Sequence, residues 1–477
     1  TKRTEWTAER TKKLDYFITA GETPAAILEQ YTAATGRAPL MPAYALGLWQ
    51  SKLRYRSQAE VLRVVREYKE HGILPAVLVI DFFHWTRQGE YRFDPKDWPN
   101  PEEMVKELEQ DGIRTMVSVW PTVDAEAADR AEMEEQGYLV KNDRGLSIHM
   151  NWMGEARFWD PFTQEAREFV WELCRKNYYN KGVRMFWLDE AEPEYGPYDY
   201  DLFRYQEGPA LEVSNYYPVQ YAKAFWDGMR AQGETQIMNL VRCAWAGSQK
   251  YGTLIWSGDV HSSFRALQEQ VQAGISMGLA GIAWWTTDVG GFLGGYPKEE
   301  RFRELLVRWF EWAVFTPVLR MHGARQPFEK LEEVFRDGVR QFTSGQSNEI
   351  YSYGDTVFRI LKRYLLVRES LREYLITLTK EAHERGLPLI RALFLVYPQD
   401  AESWEIKDEY LLGADILVAP VTEAGQRQKT IYFPGDGIWI SAADRTCYRG
   451  GSRAVVETPI ERIPVFIREG AGIEFSL

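Results

Sequence analysis

The chain has 477 residues, 45% of them hydrophobic and 26% charged, enough for a sizeable core in one large and one smaller domain. Its net charge of -12 argues against nucleic acid and anionic membranes as partners. Three scattered cysteines, Cys174, Cys243 and Cys447, fit no metal-binding spacing and predict a reducing, cytoplasmic location. No apolar stretch is long enough to cross a bilayer.

Residues 1–43 are predicted to form an N-terminal segment, in which Thr23-Pro24 begins a helix that ends before Gly36. From Tyr44 onward, short apolar runs alternate with amphipathic helices, as in a parallel sheet with helical crossovers. Eight such runs predict a (β/α)₈ barrel. They are Tyr44–Gln50, Ala76–Phe83, Thr115–Pro121, Met185–Asp189, Ile237–Arg242, Thr253–Asp259, Gly281–Asp288 and Pro317–His322. The predicted helices between them are Gln58–His71, Pro101–Gln110, Gln164–Tyr178, Pro218–Gln232, Phe264–Met277 and Phe302–Phe315.

Two segments between the strands, about Asp124–Asp160 and Ala191–Tyr217, are too long for plain loops and are expected to shape a cleft. After the last predicted barrel strand, Thr356–Arg385 is predicted to be helical. The rest is rich in short β-like runs separated by Gly and Pro, which predicts an antiparallel β-sandwich. These runs are Ile416–Pro420, Thr430–Phe433, Ile438–Ile440, Ala454–Thr458 and Ile463–Ile467.

The stretch Met185–Glu194 has the strongest functional signal, because Asp189 ends a buried-strand run where active sites of parallel sheets lie. Other predicted strands also end in acids, namely Asp81, Asp259 and Asp288. Aromatic residues accompany them, and Arg242 and His322 end two further strands. In a barrel, all these side chains converge on one mouth. Several carboxylates in an aromatic cup suit glycoside hydrolysis, in which one attacks the anomeric carbon and another protonates the leaving oxygen.

Structural explanations compete with this interpretation. Asp288 precedes Val-Gly-Gly and could form a turn, Asp81 could cap a helix, and Arg242 could belong to a structural ion pair. A metal-dependent barrel enzyme would also collect acids at strand ends, although only Lys52 offers a nearby base and no His pair has ligand spacing. A non-catalytic carbohydrate-binding barrel would keep the aromatic residues without needing two acids.

Five motifs resemble those of glycoside hydrolase family 31, in the expected order along the chain. They are Phe186-Trp-Leu-Asp-Glu-Ala-Glu-Pro193, Ile255-Trp-Ser-Gly-Asp259, Ala283-Trp-Trp-Thr-Thr-Asp-Val-Gly-Gly-Phe292, Leu319-Arg-Met-His-Gly323 and Tyr410-Leu-Leu-Gly-Ala-Asp-Ile-Leu-Val-Ala-Pro420. The resemblance covers about residue 25 to the end. It implies a retaining α-glycosidase without a cofactor or metal, with a catalytic barrel over 44–387 and a β-sandwich over 388–477.

By motif position, Asp189 resembles the nucleophile and Asp259 the general acid/base. The resemblance further implies a sugar subsite formed by Asp81, Trp187, Arg242, Trp256, Asp288 and His322, and Trp120, which also closes a strand, is added as a candidate. The expected partner is an oligosaccharide or small glycoside, and a homo-oligomeric assembly is compatible with the sequence. The family's usual N-terminal β-sandwich and outer C-terminal β-domain are missing from this sequence, and Ala324–Ile350 is less like the family than its neighbours.

The choice of sugar depends on Asp81-Phe-Phe-His-Trp85, which resembles the α-xylosidase branch of the family. Asp81, Phe83 and Trp85 would share one face if the strand continued to Trp85. Their rings would then fill the space that the exocyclic CH₂OH of glucose occupies, admitting xylose. The sequence therefore favours an α-xylosidase over an α-glucosidase or α-glucosyltransferase.

Overall fold

The computed structural model describes residues 5–147, 150–151, 155–193, 201–329, 335–336, 339–340 and 343–477. Glu194 and the first four residues of the N-terminal segment, which the sequence analysis included, lie outside these ranges. Among the described residues, no helix combines the length and the apolar character needed to cross a membrane.

The described α-helices include all six predicted between the barrel strands. They are α1 (Pro24–Thr35), α2 (Gln58–Glu70), α3 (Pro101–Gln110), α4 (Arg130–Glu135), α5 (Gln164–Asn177), α6 (Ala210–Val213), α7 (Tyr217–Ala231), α8 (Phe264–Leu279), α9 (Glu300–Ala313), α10 (Asp355–Ser370), α11 (Arg372–Arg385) and α12 (Leu393–Val396). The hydroxyl of Thr23 caps α1 by accepting the Ala26 N–H. The helical prediction for Thr356–Arg385 is confirmed by α10 and α11, which are separated at the buried Leu371.

The barrel strands are eight, as predicted. In chain order the first part of the molecule contains β1 (Leu48–Gln50), β2 (Val77–Ile80), β3 (Arg114–Val119), β4 (Thr122–Asp124), β5 (Lys141–Asn142), β6 (Met150–Asn151), β7 (Glu155–Phe158), β8 (Met185–Leu188), β9 (Phe203–Arg204), β10 (Asn239–Val241), β11 (Thr253–Trp256), β12 (Trp285–Thr286), β13 (Leu319–Met321), β14 (Phe335–Arg336) and β15 (Val339–Arg340). One parallel sheet joins eight of them in the order β12-β11-β10-β8-β3-β2-β1-β13.

Side-chain and backbone contacts close this sheet into a barrel between β12 and β13. The hydroxyl of Thr286 donates to the Val318 carbonyl (3.0 Å), and the Val289 N–H donates to the Arg320 carbonyl (3.3 Å). The strands are buried on both faces, as their continuous apolar runs predict. Val77–Ile80, for example, is buried at every position. The carboxyl ends of all eight strands therefore lie at one mouth.

The two long segments predicted to shape the cleft pair with each other. β5 lies in the first and β9 in the second, and the two strands run antiparallel with Lys141 opposite Arg204. Asp160, which closes the first segment, accepts the backbone N–H of Gln206 at 2.6 Å. Burial raises the pKa of Asp160 to about 6. The segments that follow β3 and β8 thus form one connected wall beside the mouth.

The C-terminal region is antiparallel, as predicted. Its strands are β16 (Ile390–Arg391), β17 (Tyr410–Leu412), β18 (Ile416–Val418), β19 (Gln428–Phe433), β20 (Ile438–Ser441), β21 (Cys447–Arg449), β22 (Ser452–Glu457) and β23 (Val465–Arg468). Six form the sheet β16-β17-β18-β23-β20-β21, and β19 pairs with β22. β16, β17 and β21 were not predicted, because strands of two or three residues carry too little alternation to be recognised. The domain boundaries after residues 43 and 387 stay predictions.

One buried arginine ties the barrel to the C-terminal region. Arg308 of α9 pairs with Glu311 one helical turn later (3.2 Å), and both are almost fully buried. Its guanidinium also donates to the backbone carbonyls of Thr458 (2.6 Å) and Pro459 (3.0 Å). Burial raises the pKa of Glu311 to about 8, although Arg308 opposes this. The loop between β22 and β23 is therefore held against the barrel by charged hydrogen bonds away from water.

Candidate active site

The predicted site residues follow the carboxyl ends of the barrel strands. Asp81 comes directly after β2, Trp120 after β3, Asp189 after β8, Arg242 after β10 and His322 after β13. Asp259 and Asp288 lie three and two residues beyond β11 and β12. A parallel barrel brings all of these positions to the same end. Side chains from distant parts of the chain therefore lie around one common space.

Asp189 is buried and held by its neighbours. Its backbone N–H donates to the Val119 carbonyl (3.2 Å), and its Oδ2 accepts the indole N–H of Trp120 (3.1 Å). Nη1 of Arg242 lies 3.6 Å from Oδ1. An indole N–H and a guanidinium both favour the ionised carboxylate. Asp189 is thus oriented as an anion at the cavity wall.

Arg242 forms ion pairs with three carboxylates. Besides Asp189, it lies 3.0 Å from Oε1 of Glu190 through Nη1 and 2.6 Å from Oε1 of Glu192 through Nε. Burial disfavours its charge, but the carboxylates of Asp189, Glu192 and Glu190 outweigh that cost and raise the pKa of Arg242. The structure therefore gives Glu190 and Glu192 a role in fixing Arg242.

Asp81 and His322 lie side by side at the bottom of the mouth. Oδ1 of Asp81 accepts the Phe82 N–H (2.7 Å), and Oδ2 lies 3.8 Å from Nε2 of His322. Nδ1 of His322 lies 2.8 Å from the hydroxyl of Ser51. Burial raises the pKa of Asp81 well above its usual range, whereas burial and the charges of nearby arginines lower the pKa of His322. The imidazole is therefore neutral at pH 7.

A charged floor, formed by Arg320 and Asp288, lies beneath Asp81 and His322. The guanidinium of Arg320 is 4.8 Å from the ring centroid of Trp187 and 5.7 Å from that of Trp256, within cation–π range. Arg320 also forms a fully buried ion pair with Asp288. Burial raises the pKa of Asp288, although Arg320 opposes the shift. The indoles of Trp187 and Trp256 pack edge to face with ring centroids 5.3 Å apart. This contact fixes the ring of Trp187, which faces the mouth.

A cavity of about 310 Å³ collects most of the predicted residues. Asp81, Trp120, Trp187, Asp189, Arg242, Asp259 and His322 line it, and Asp259 is the exposed acid of the set. Trp256 and Asp288 do not line it, because they lie behind Trp187 and Arg320. Both residues contact Arg320, and their direct contact with a sugar stays a prediction.

The expected placement of Phe83 and Trp85 needs correction. β2 ends at Ile80, so the alternation that would put Asp81, Phe83 and Trp85 on one face does not continue. Phe83 adopts a left-handed backbone (φ 54°), and its carbonyl accepts a hydrogen bond from Arg54 (3.1 Å). Phe83 and Trp85 pack behind the cavity, and Phe82 lines it instead.

Phe82 stacks on Trp120, with ring centroids 5.1 Å apart and an interplanar angle of 23°. Phe82 was not among the predicted site residues, although its position next to Asp81 at a strand end indicates a place in the site. Other residues that line the cavity were also not predicted, namely Leu53, Glu190, Phe292, Leu293, Ala324 and Phe328. The aliphatic members of that set carry no chemical signal in a sequence.

Two acids in one cavity, one buried and held as an anion and one exposed, can divide nucleophilic and proton-transfer roles. The aromatic rings around them can pack on the apolar face of a sugar. Within the described ranges, no group of three or more His, Cys, Asp or Glu side chains is placed to hold a metal ion.

Two family models match this chain. The glycosyl hydrolases family 31 TIM-barrel domain matches residues 38–378, and the glycosyl hydrolase family 31 C-terminal domain matches residues 386–473. The first match covers more than half of the chain and contains every site residue described above.

Three relatives illustrate the similarity. An uncharacterized family 31 glucosidase of Pseudescherichia vulneris is 56% identical over 323 residues, covering 68% of this chain and 61% of the relative. An alpha-xylosidase of Saccharolobus solfataricus is 32% identical over 473 residues, covering 97% and 60%. The crystal structure of a family 31 alpha-xylosidase from a soil metagenome, complexed with xylose, is 51% identical with a TM-score of 0.93, covering 95% of this chain and 67% of that one. The chain thus spans about 60% of the length of these two curated relatives.

Proposed function

The chain belongs to glycoside hydrolase family 31, and we propose that it is a retaining, exo-acting α-glycosidase that removes terminal α-linked xylose. The observation that carries this proposal is the pair of acids in one cavity: Asp189, held by Trp120 and Arg242, and the exposed Asp259. An oligosaccharide or a small glycoside is the proposed substrate.

In the first step, the Asp189 carboxylate attacks the anomeric carbon while the carboxylic acid of Asp259 protonates the glycosidic oxygen. The C–O bond breaks, the leaving group departs as an alcohol, and a glycosyl ester forms on Asp189. In the second step, the Asp259 carboxylate takes a proton from water as that water attacks the same carbon. The ester bond breaks, and the sugar leaves with its original α configuration.

The sugar specificity rests on Phe82. Its ring lies beside Asp81 and stacks on Trp120, so two aromatic side chains narrow the cavity on this side. Xylose has no exocyclic carbon and would fit against such a wall, whereas the CH₂OH of glucose would meet it. The crystal structure with xylose, from a 51% identical chain, supports the same choice.

An α-glucosidase is the second candidate, and the 56% identical relative whose name says glucosidase favours it. Transfer to an acceptor other than water would use the same two acids. The cytoplasmic location and the homo-oligomeric assembly stay predictions.

A panel of aryl α-glycosides tests the proposal. We expect α-xyloside turnover to exceed α-glucoside turnover, and NMR during the reaction to show the α-anomer of free xylose first. Initial release of the β-anomer would contradict the double displacement. Higher turnover of the glucoside would select the second candidate, and loss of all activity with a chelator would favour a metal-dependent enzyme. No turnover of any glycoside that binds would indicate a non-catalytic sugar-binding barrel.

A further inference from the structure

The cavity has an apolar rim on the side of Asp259. Two residues of this rim that line the cavity, Leu293 and Phe328, are large apolar side chains that are 40% and 39% exposed. They lie on different loops, one after β12 and one after β13. The glycone site already described does not use them.

Backbone contacts fix Leu293 beside the general acid. The N–H groups of Phe292 and Leu293 both donate to the carbonyl of Val260, the residue after Asp259, at 2.8 Å and 3.0 Å. Leu293 is bridged on one side to His261 and on the other to Ala324. A single hydrogen bond therefore joins the Leu293 backbone to the residue that directly follows Asp259.

Phe328 is tied to the same rim. The Gln326 N–H donates to the carbonyl of Gly295 at 3.0 Å, which links the loop that carries Phe328 to the loop that carries Leu293. The Pro327 carbonyl accepts a hydrogen bond from the side chain of Gln346 at 2.7 Å. Both apolar side chains are therefore held by ordered backbone at the cavity opening.

The leaving group must pass this rim. Asp259 protonates the glycosidic oxygen, so the leaving-group atoms attached to that oxygen lie next to the acid, at the cavity opening. Of the described residues that line the cavity, the exposed Leu293 and Phe328 offer no side-chain hydrogen-bonding group at this rim. Hydroxyl groups pressed against them would lose water without gaining a partner, whereas an apolar ring would gain contact.

We propose that Leu293 and Phe328 form an aglycone subsite that selects leaving groups with a planar apolar face, such as aryl groups, over sugars. This inference rests on the proposed function. Because the contacts act before the first C–O bond breaks, they affect kcat/KM for glycosides with such an aglycone. A substrate without an aglycone cannot use them.

The first test compares an aryl α-glycoside with the glycosyl fluoride of the same sugar, using the sugar preferred in the panel. In Leu293→Ala and Phe328→Ala, kcat/KM for the aryl glycoside should fall about tenfold, the usual worth of a small apolar contact. The value for the fluoride should stay within about twofold. Leu366→Ala, at a residue 67% exposed on α10, is the matched control and should change neither value.

An equal fall for both substrates would overturn the proposal, since the residues would then act on the glycone or the fold. No fall for either would overturn it as well. If neither the fluoride nor any aryl glycoside is turned over by the wild-type chain, the proposed function itself fails, which keeps the two failures distinct.

The second test asks which acceptor the subsite prefers, because a transferred alcohol occupies the place of the leaving group. With the glycosyl fluoride as donor, 2-phenylethanol should capture the glycosyl group more efficiently than glucose or xylose at equal concentration. Phe328→Ala should remove that advantage. More efficient capture by the sugars in the wild-type chain would overturn the proposal and assign the subsite to a saccharide.

Discussion

The hydroxyl of Ser51, which directly follows β1, lies 2.8 Å from Nδ1 of His322, which directly follows β13. Since the imidazole is neutral, only one of its nitrogens carries a proton. A hydroxyl that donates to Nδ1 leaves the proton on Nε2, the nitrogen nearer to Asp81. We therefore expect Ser51 to determine which imidazole nitrogen can donate a hydrogen bond to a sugar hydroxyl.

Ser51→Ala should therefore lower kcat/KM about fivefold, because one hydrogen bond is worth about 1 kcal/mol and about 1.4 kcal/mol is a factor of ten. Ser51→Thr keeps the hydroxyl and should recover part of the loss. Imidazole ¹⁵N shifts should show a change of tautomer in the alanine variant alone. An unchanged tautomer with reduced activity would indicate a packing role.

Asp189→Asn should abolish turnover, by about 10⁴-fold or more, because an amide cannot attack the anomeric carbon. The fold should persist, since Arg242 keeps Glu190 and Glu192 as partners. The measurement is kcat on an aryl α-glycoside, with circular dichroism as the check on folding. Asp227→Asn, at an exposed acid on α7, is the control and should remain fully active. Normal turnover by the Asp189 variant would remove the nucleophile assignment.

Asp259→Ala should affect poor leaving groups most, because general acid catalysis matters most where the leaving oxygen is basic. Natural glycosides should lose about 10²–10⁴-fold in kcat/KM, and activated aryl glycosides much less. Azide should restore part of the activity by replacing water in the second step. Equal losses on both kinds of substrate without rescue would indicate a structural role.

Phe82→Ala should change the choice of sugar, because the ring narrows the cavity where glucose carries its extra carbon. We expect the xyloside rate to fall and the glucoside rate to fall less or to rise, a change in preference of roughly 1–3 kcal/mol. Phe83→Ala is the informative comparison, since this ring packs behind the cavity: it should lower stability but leave the rate ratio unchanged. A ratio that responds only to Phe83 would contradict this assignment.

Asp81→Asn should stabilise the fold at neutral pH while it reduces activity. Burial raises the pKa of Asp81 in the folded state, so the folded chain favours the protonated form. Below the pKa of Asp in the unfolded chain, about 3.9, this preference does not change the free energy of unfolding. As the pH rises above that pKa, the preference destabilises the fold increasingly. The gain from the variant should be near zero at pH 3.5 and about 1–2 kcal/mol at pH 7. Urea unfolding at both values measures it, and an equal gain at both would exclude a titration effect.

The barrel could be predicted because its signals are local: apolar runs mark buried parallel strands, and amphipathic spacing marks the helices. The same logic placed Asp189, Arg242 and His322 at one mouth, since a strand end is a position in sequence as well as in space. The break at Leu371 could not be predicted, because its cause is burial against the rest of the core.

The aromatic wall shows a second limit. Choosing between Phe82 and Phe83 requires knowing where β2 stops, and strand ends are the least certain part of a sequence-based prediction. The positive φ of Phe83 turns the backbone at this residue, and the alternation of side chains along a strand does not predict such a turn. Support by Arg320 was equally hidden, because a buried arginine beneath two indoles has no signature until the fold brings them together.

The pairing of β5 with β9 has a consequence for engineering. If the segments after β3 and β8 were independent modules, each could be exchanged between relatives on its own. Here Lys141 lies opposite Arg204 and Asp160 accepts the Gln206 N–H, so each segment supplies backbone partners to the other. A graft of one segment alone would leave those partners unmatched. Chimeras should therefore exchange the two segments as a single cassette.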